Sequence, residues 1–395
     1  MTMFRTFFLA GFEGSTGYNR HGEWIDQIAA TGHDDHLDAD YARLRSVGIQ
    51  AARESVRWPL VDRRGRYDFG SLLPMLRAAR AHDVELLLDL FHFGYPNDAD
   101  PFDEGFASRF ANYCWAVARV VTAETPGPPA FAPVNEPSFF AWAGGEVGLF
   151  APHRRERGRE LKVNLVRAAL LGIEAVRSAC PGAAVVNVDA LCRVVAPVGR
   201  PDLAAAVAHF NDAAVFESWD MLAGRLHPEL GGSPSHLGVL GLNYYWTNQW
   251  ELGASVPLDE GDPRRCGFRA LVDTVWERYG APLVVTETGH VGHRRAAWTA
   301  EIADAVFTAR DAGIPVGGLC LYPILGMPEW HERGTWTRMG LWDVVTDEPG
   351  LVRVPHVASM AAVREAQRRF EERSPLLTPC GMAMPVEYRS PFLAR

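Results

Sequence analysis

Cysteine is scarce in this chain. Six occur in 395 residues, at Cys114, Cys180, Cys192, Cys266, Cys320 and Cys380, and no two form a Cys-x-x-Cys pair. A disulfide frame or a zinc knot is therefore not expected, and the cysteines inside apolar runs read as reduced, small hydrophobes. Long apolar runs are absent too: no stretch approaches the roughly 20 residues that span a bilayer. The N-terminal MTMFRTFFLA is briefly apolar, but Glu13 and Gly14 follow without a clean cleavage site. No signal peptide is expected, and a cytoplasmic location is. There is no basic run and no Arg-rich face interleaved with aromatics, and the formal net charge is −9, so nucleic acid is not an expected partner. No Gly-x-Gly-x-x-Gly follows the first strand, and there is no phosphate loop, internal repeat or low-complexity tract.

What the chain does have is alternation. With 48% hydrophobic residues it can bury a large core. Residues 84–93 read VELLLDLFHF, the nearly continuous apolar run of a parallel strand covered on both faces. Similar runs occupy 6–12, 49–55, 130–135, 184–191, 239–245, 283–286 and 316–323, making eight candidates. Between them lie helical periods: Phe106, Phe110, Tyr113, Val117 and Val121 in one segment, Leu161, Leu165, Ala168, Gly172 and Val176 in another. Eight strands alternating with helices suit a barrel or a doubly wound sheet, and the missing dinucleotide fingerprint weighs against the second. The expectation is an α/β fold, a single (β/α)₈ TIM barrel over residues 1–373, with a proline-rich C-terminal tail, 374–395, extended and packed on the barrel.

Active sites of such barrels lie at the C-terminal ends of the strands. Polar residues that end apolar strands are therefore informative: Arg53 and Glu54, His92, Asn135 and Glu136, Asn243 and Tyr245, Thr286 and Glu287. Burying ionisable groups together is costly without partners or a function. Glu136 and Glu287 fall on the fourth and seventh strands, facing each other across the barrel. Glycoside hydrolysis uses two carboxyl groups flanking the scissile bond, about 5–5.5 Å apart when the configuration is retained. One must hold a proton near neutral pH, and the other must stay ionised, a condition that Arg53 and Tyr245 can support.

The motifs at these strand ends carry a resemblance. PVNEPS around Glu136 resembles the Asn-Glu-Pro signature of clan A glycosidases, and LVVTETG around Glu287 resembles the Ile-Thr-Glu-Asn-Gly signature of glycoside hydrolase family 1. GLNYYWT, DLFHFGYP, DADYARLRSVGIQAARESVRW and GLCLYPILGMPEWHERGTW resemble, respectively, that family's sixth strand, third strand, first helix with second strand, and eighth strand with sugar-binding loop. The motifs occur in family order from about Phe8 to about Asp343. The resemblance implies a retaining β-glycosidase with Glu136 as acid/base and Glu287 as nucleophile. It implies Arg53 and Tyr245 beside the nucleophile, and His92, Asn135, Glu329 and Trp330 as contacts to the sugar. Asn243 is grouped with these as a supporting residue on the sixth strand. Departures from the family pattern are Thr288 after Glu287, Tyr322 near the eighth-strand Trp, shortened loops, and no match in FLAGFEGST to the strand-one Gln, with Glu13 nearby.

The expected partner is a small β-glycoside or oligosaccharide. No cofactor, metal, nucleic acid or membrane is expected. His33 and His36 read as solvated histidines in a polar loop before a helix, and neither that pair nor His290-x-x-His293 is expected to bind a metal, because a metal site needs a converging third ligand. Three other readings remain open: a transglycosidase using the same carboxylates, a sugar-binding barrel without catalysis, and a metal-dependent barrel hydrolase or isomerase.

Overall fold

The computed structural model describes residues 2–346 and 350–373. Eight parallel strands close into a barrel: β1 (Phe8–Gly11), β2 (Ala51–Ser55), β3 (Glu85–Asp89), β4 (Ala130–Ala132), β5 (Ala184–Ala190), β6 (Val239–Asn243), β7 (Leu283–Thr288) and β8 (Val316–Leu321). Each pairs with its sequence neighbours, and β1 closes the ring by pairing Phe8 with Leu319 on one side and Ala10 with Ala52 on the other. All eight lie within the expected apolar runs or, for β7, extend two residues past it. The chain is a (β/α)₈ barrel, as expected. The expected tail at 374–395 lies outside the described residues.

Period-two alternation divides each strand between two cores. Leu9, Ala51, Leu87, Ala130, Ala132, Val186, Val188 and Cys320 form one buried cluster, the apolar plug of the barrel interior. The alternate residues Phe8, Ala10, Ala52 and Leu88 belong to the larger core beneath the helices. The helical stripes expected from sequence are the buried faces of Phe106–Glu124 and Gly158–Ala179. Gly172 lets these helices approach, because a Cβ there would sit 3.0 Å from Phe110 Cε1. No helix among the described residues is long and apolar enough to cross a membrane.

Continuing the interior register past the plug places the polar groups. Arg53 lies two residues after Ala51, Asp89 two after Leu87, Tyr322 two after Cys320, and Gly11 two after Leu9. All therefore stand in one layer immediately above the apolar plug. Four strands, β3, β4, β6 and β8, end two or more residues earlier than the apolar runs suggest. β3 stops at Asp89, so His92 rises on the following loop, and β4 stops at Ala132, leaving Asn135 joined to Val188 by an isolated bridge. β6 stops at Asn243, with Tyr245 beyond it. Beyond two of these ends, Phe93 and Glu136 have φ of 69° and 43° and turn the chain over the barrel mouth.

His33 departs from the expectation of a solvated loop histidine. It opens the helix His33–Ser46 and is buried between two carboxylates, with Nδ1 2.9 Å from Asp40 and Nε2 3.0 Å from Glu54. The Tyr41 hydroxyl donates to the same Glu54 oxygen at 2.7 Å, and Arg353 forks onto Asp40 at 3.0 Å through both contacting nitrogens. Burial alone would lower the His33 pKa, but Glu54 and Asp40 outweigh it and push it up to about 9. Because this pKa is raised in the folded state, the stabilisation is complete below the unfolded value of about 6.5 and is lost as pH rises through 9. The stability gap between wild type and His33→Ala should therefore close by up to about 3 kcal/mol across that window, by urea unfolding at stepped pH. A gap independent of pH would refute the ion pairing.

Candidate active site

At the barrel mouth one guanidinium organises the buried groups. Arg53 is fully buried and every N–H has a partner. Nε donates to Asp89 Oδ1 at 3.0 Å, and Nη2 reaches Asp89 Oδ2 at 2.9 Å and Asn135 Oδ1 at 2.7 Å. Nη1 donates to the Thr286 carbonyl at 3.0 Å and to Glu287 Oε1 at 2.7 Å. Below it lies the Tyr322 ring, 5.2 Å from the guanidinium carbon. Gly11 makes that placement possible, since a Cβ would stand 2.0 Å from Tyr322 Cδ2. Burial opposes the charge of Arg53, but Asp89 and Glu287 outweigh it and hold the guanidinium protonated.

The amide and imidazole groups take up the remaining valences. Asn135 Oδ1 accepts from Arg53 and from Asn243 Nδ2 at 3.2 Å, so its Nδ2 is the donor to His92 Nε2 at 3.1 Å. His92 Nδ1 then donates to Asp89 Oδ2 at 2.8 Å, an assignment of tautomer that follows from the network. The His92 ring lies parallel to Tyr322, with centroids 6.1 Å apart. Asn243 also donates to Glu136 Oε1 at 2.9 Å and accepts from Thr286 Oγ1 at 2.7 Å, which fixes its amide orientation.

The two glutamates occupy different surroundings. Glu287 receives Arg53 on Oε1 and the Tyr245 hydroxyl on Oε2 at 2.8 Å. A carboxylate there is compensated on both oxygens. Burial and the charge of Glu287 raise the Tyr245 pKa, so the phenol stays a donor. Glu136 has no cation in contact. Burial first, and the negative charge of Glu287 second, push its pKa well above the usual carboxylate range, against the single donor Asn243. Asp189 on β5 adds to that push. It is buried, and it accepts from Ser138 Oγ at 2.7 Å, from Ala190 N at 2.9 Å and from Ser218 Oγ. Ser138 lies on the turn that starts at Glu136, so Asp189 ties that turn to the barrel.

Seven sequence-predicted residues thus converge: Arg53, His92, Asn135, Glu136, Asn243, Tyr245 and Glu287. Glu329 and Trp330 stand outside this network on the rim hairpin Met327–Pro328 with Trp336–Thr337. Glu329 is exposed and accepts from the Thr337 hydroxyl. Trp330 is half-buried and packs edge-on to Phe93, 6.1 Å away, next to His92. Asp89 and Asp189 were not singled out in the sequence, because each lies inside an apolar run and the others were marked by standing at the end of one. The His290 ring stacks on Trp246 at 4.3 Å, with Nε2 2.9 Å from Glu260, which gives it a structural role.

No family model and no curated protein matches the sequence. Solved structures do resemble the fold. The β-glucosidase from Thermotoga maritima in complex with glucoimidazole aligns over 93% of this chain and 99% of its own, with a TM-score of 0.75 and 16% identity. Its complex with noeuromycin gives a TM-score of 0.72 at 16% identity, with the same coverage of both chains. The AHE enzyme from Alicyclobacillus herbarius gives 0.73 at 18%, also with 93% and 99% covered. At these identities the likeness establishes the barrel fold.

The network makes a stability prediction. Arg53→Met would leave Asp89 and Glu287 as buried carboxylates without their cation. Breaking a buried pair in this way costs about 3–5 kcal/mol. Urea unfolding of the variant at pH 7 should show a loss of that size, and a loss below about 1 kcal/mol would mean that the two acids are not held by Arg53.

Proposed function

We propose that this chain is a retaining β-glycosidase acting on small β-glycosides. The observation that carries the proposal is the electrostatic contrast between the two glutamates: Glu287 is compensated on both oxygens, and Glu136 is buried beside it with its pKa raised. That is the division of labour that glycoside hydrolysis by two carboxyl groups requires.

In the first step the protonated Glu136 gives its proton to the glycosidic oxygen as the bond from that oxygen to the anomeric carbon breaks. A Glu287 oxygen forms a bond to the same carbon from the opposite face, giving a glycosyl ester. Arg53 and Tyr245 orient the attacking carboxylate, and Thr286 and Asn243 hold Glu136 against the β6–β7 edge. Esterification removes the negative charge of Glu287, the second-largest cause raising the Glu136 pKa. Glu136 is then a better-ionised base. It takes a proton from water, the water oxygen bonds to the anomeric carbon, and the ester breaks to restore Glu287. Two inversions give net retention. We assign the sugar contacts to His92 and Asn135 at the barrel mouth and to Trp330 and Glu329 on the rim. An alcohol in place of water would give transglycosylation by the same steps.

The direct test is turnover of chromogenic β-glycosides, with the product anomer followed by NMR. The first-formed anomer should be β; an α product would mean inversion. A chain that cleaves no member of a gluco, galacto, fuco, manno and 6-phospho panel is not this enzyme. The two glutamates should also fail differently. Glu287→Gly should abolish turnover, with azide restoring product of inverted configuration. Glu136→Ala should lose about 100- to 10,000-fold on poor leaving groups and far less on good ones, because the latter need little protonation. Azide should then give a product of retained configuration, and the opposite pattern would exchange the roles.

The raised pKa of Glu136 sets a further expectation. Its protonated form is the active one, so kcat/KM should fall on the alkaline side as pH rises through that pKa. Removing the neighbouring charge with Glu287→Gln should move the Glu136 titration to lower pH, read by NMR of ¹³C-labelled glutamate. An unmoved titration would show that Glu287 does not set it.

A further inference from the structure

One buried acid at the mouth has no part in the mechanism above. Glu13 follows β1, two residues beyond Gly11, and is 7% exposed. Its Oε1 accepts from Ser15 N at 3.0 Å and from Ser15 Oγ at 2.5 Å, and lies 3.7 Å from His92 Nε2. Its Oε2 receives no hydrogen bond from any described residue and is not among the fully occluded unpaired atoms, so it keeps some accessible surface. His92, Glu287, Tyr245 and Tyr322 are the ionisable groups that surround it. The mouth already holds Asp89 and Glu287 against one guanidinium, which is fully committed to them. Glu13 is thus a third acid in a mouth whose described cation is this single guanidinium. A buried carboxylate without a counter-charge is costly, and a bound cation removes that cost.

We infer that Glu13 selects substrates carrying a protonated amine on the sugar, making the preferred substrate an aminodeoxy glycoside rather than a neutral one. The inference rests on the glycosidase reading for what happens after binding, but not for binding itself. An ammonium against Oε2 would supply the missing counter-charge, form a charge-assisted hydrogen bond and hold Glu13 ionised. A neutral hydroxyl supplies no charge. Burial pushes the Glu13 pKa up, and the charge of Glu287 adds to that push, so a neutral ligand leaves the acid free to take a proton.

Calorimetry tests binding without turnover. Glucose, galactose and their 2-, 3-, 4- and 6-aminodeoxy forms are titrated into wild type and Glu13→Gln at about pH 6.5. At least one amino sugar should bind wild type tenfold or more tighter than its parent, and Glu13→Gln should abolish that advantage. In wild type alone, the advantage should shrink as pH falls and Glu13 becomes protonated, a readout that needs no folded variant. Equal binding of amino and parent sugars, or an advantage that survives Glu13→Gln or is insensitive to acid, overturns the inference. Parallel hydrolysis assays separate the two ideas. Cleavage of neutral glycosides with no amine advantage sinks the inference alone. Amine binding that depends on Glu13, with every glycoside inert, sinks the glycosidase reading alone.

Discussion

The site depends on burying one guanidinium where it cannot be hydrated. Arg53 has five N–H donors and no access to water, so the fold must provide acceptors in a planar fork around it. It does so from three strands or their ends: Asp89 on β3, Asn135 after β4, and Thr286 and Glu287 on β7, around Arg53 on β2. Each acceptor is then fixed in orientation by that demand, and fixes others in turn. Asp89 sets the His92 tautomer, Asn135 shares its oxygen with Asn243, and Asn243 reaches Glu136. A lysine could not serve, because its ammonium has three donors and no plane.

The same arrangement explains why two chemically identical side chains behave differently. Among the described residues, the only buried cation in contact with either glutamate lies against Glu287. Glu136 comes from the other side of the barrel, after β4, with an amide for a partner and two acids, Glu287 and Asp189, acting on it through low-dielectric space. The difference comes from where the positive charge is spent, and the backbone contributes by turning at Glu136 through a left-handed φ that lifts the carboxyl off the ladder.

Much of this was legible in the sequence. The eight apolar runs are strands because a parallel sheet covered on both faces tolerates little else, and the stripes at 106–121 and 161–176 are helix faces for the same reason. Polar residues at the ends of those runs identified seven members of the network. What was not legible depends on register and on loop paths. Asp89 is invisible as a site residue until the strand is known to end there and its side chain to point inward. His33 looked solvated because its partner Glu54 lies 21 positions away, and Arg353, which holds its other partner Asp40, lies 313 positions from that aspartate. Strand ends were misjudged at His92 and Tyr245 because apolar content continues past the last paired residues, Asp89 and Asn243. Glu329 and Trp330 sit on a hairpin whose position is set by packing against Phe93 and Phe150, which no local pattern encodes.

The closure of β1 against β8 has a consequence for how the protein comes into being. Strands β1 to β4 and their ends hold Arg53, His92, Asn135 and Glu136; strands β6 and β7 and their ends hold Asn243, Tyr245 and Glu287. The N-terminal half therefore carries the fork and the C-terminal half carries the carboxylate that completes it. During synthesis the first half emerges with its guanidinium facing an interior that does not yet exist. Only when the last strand meets the first, bringing the Tyr322 ring into the gap left at Gly11, is that charge enclosed. Completion of the polar mouth and sealing of the barrel therefore coincide, and neither half alone holds the whole network.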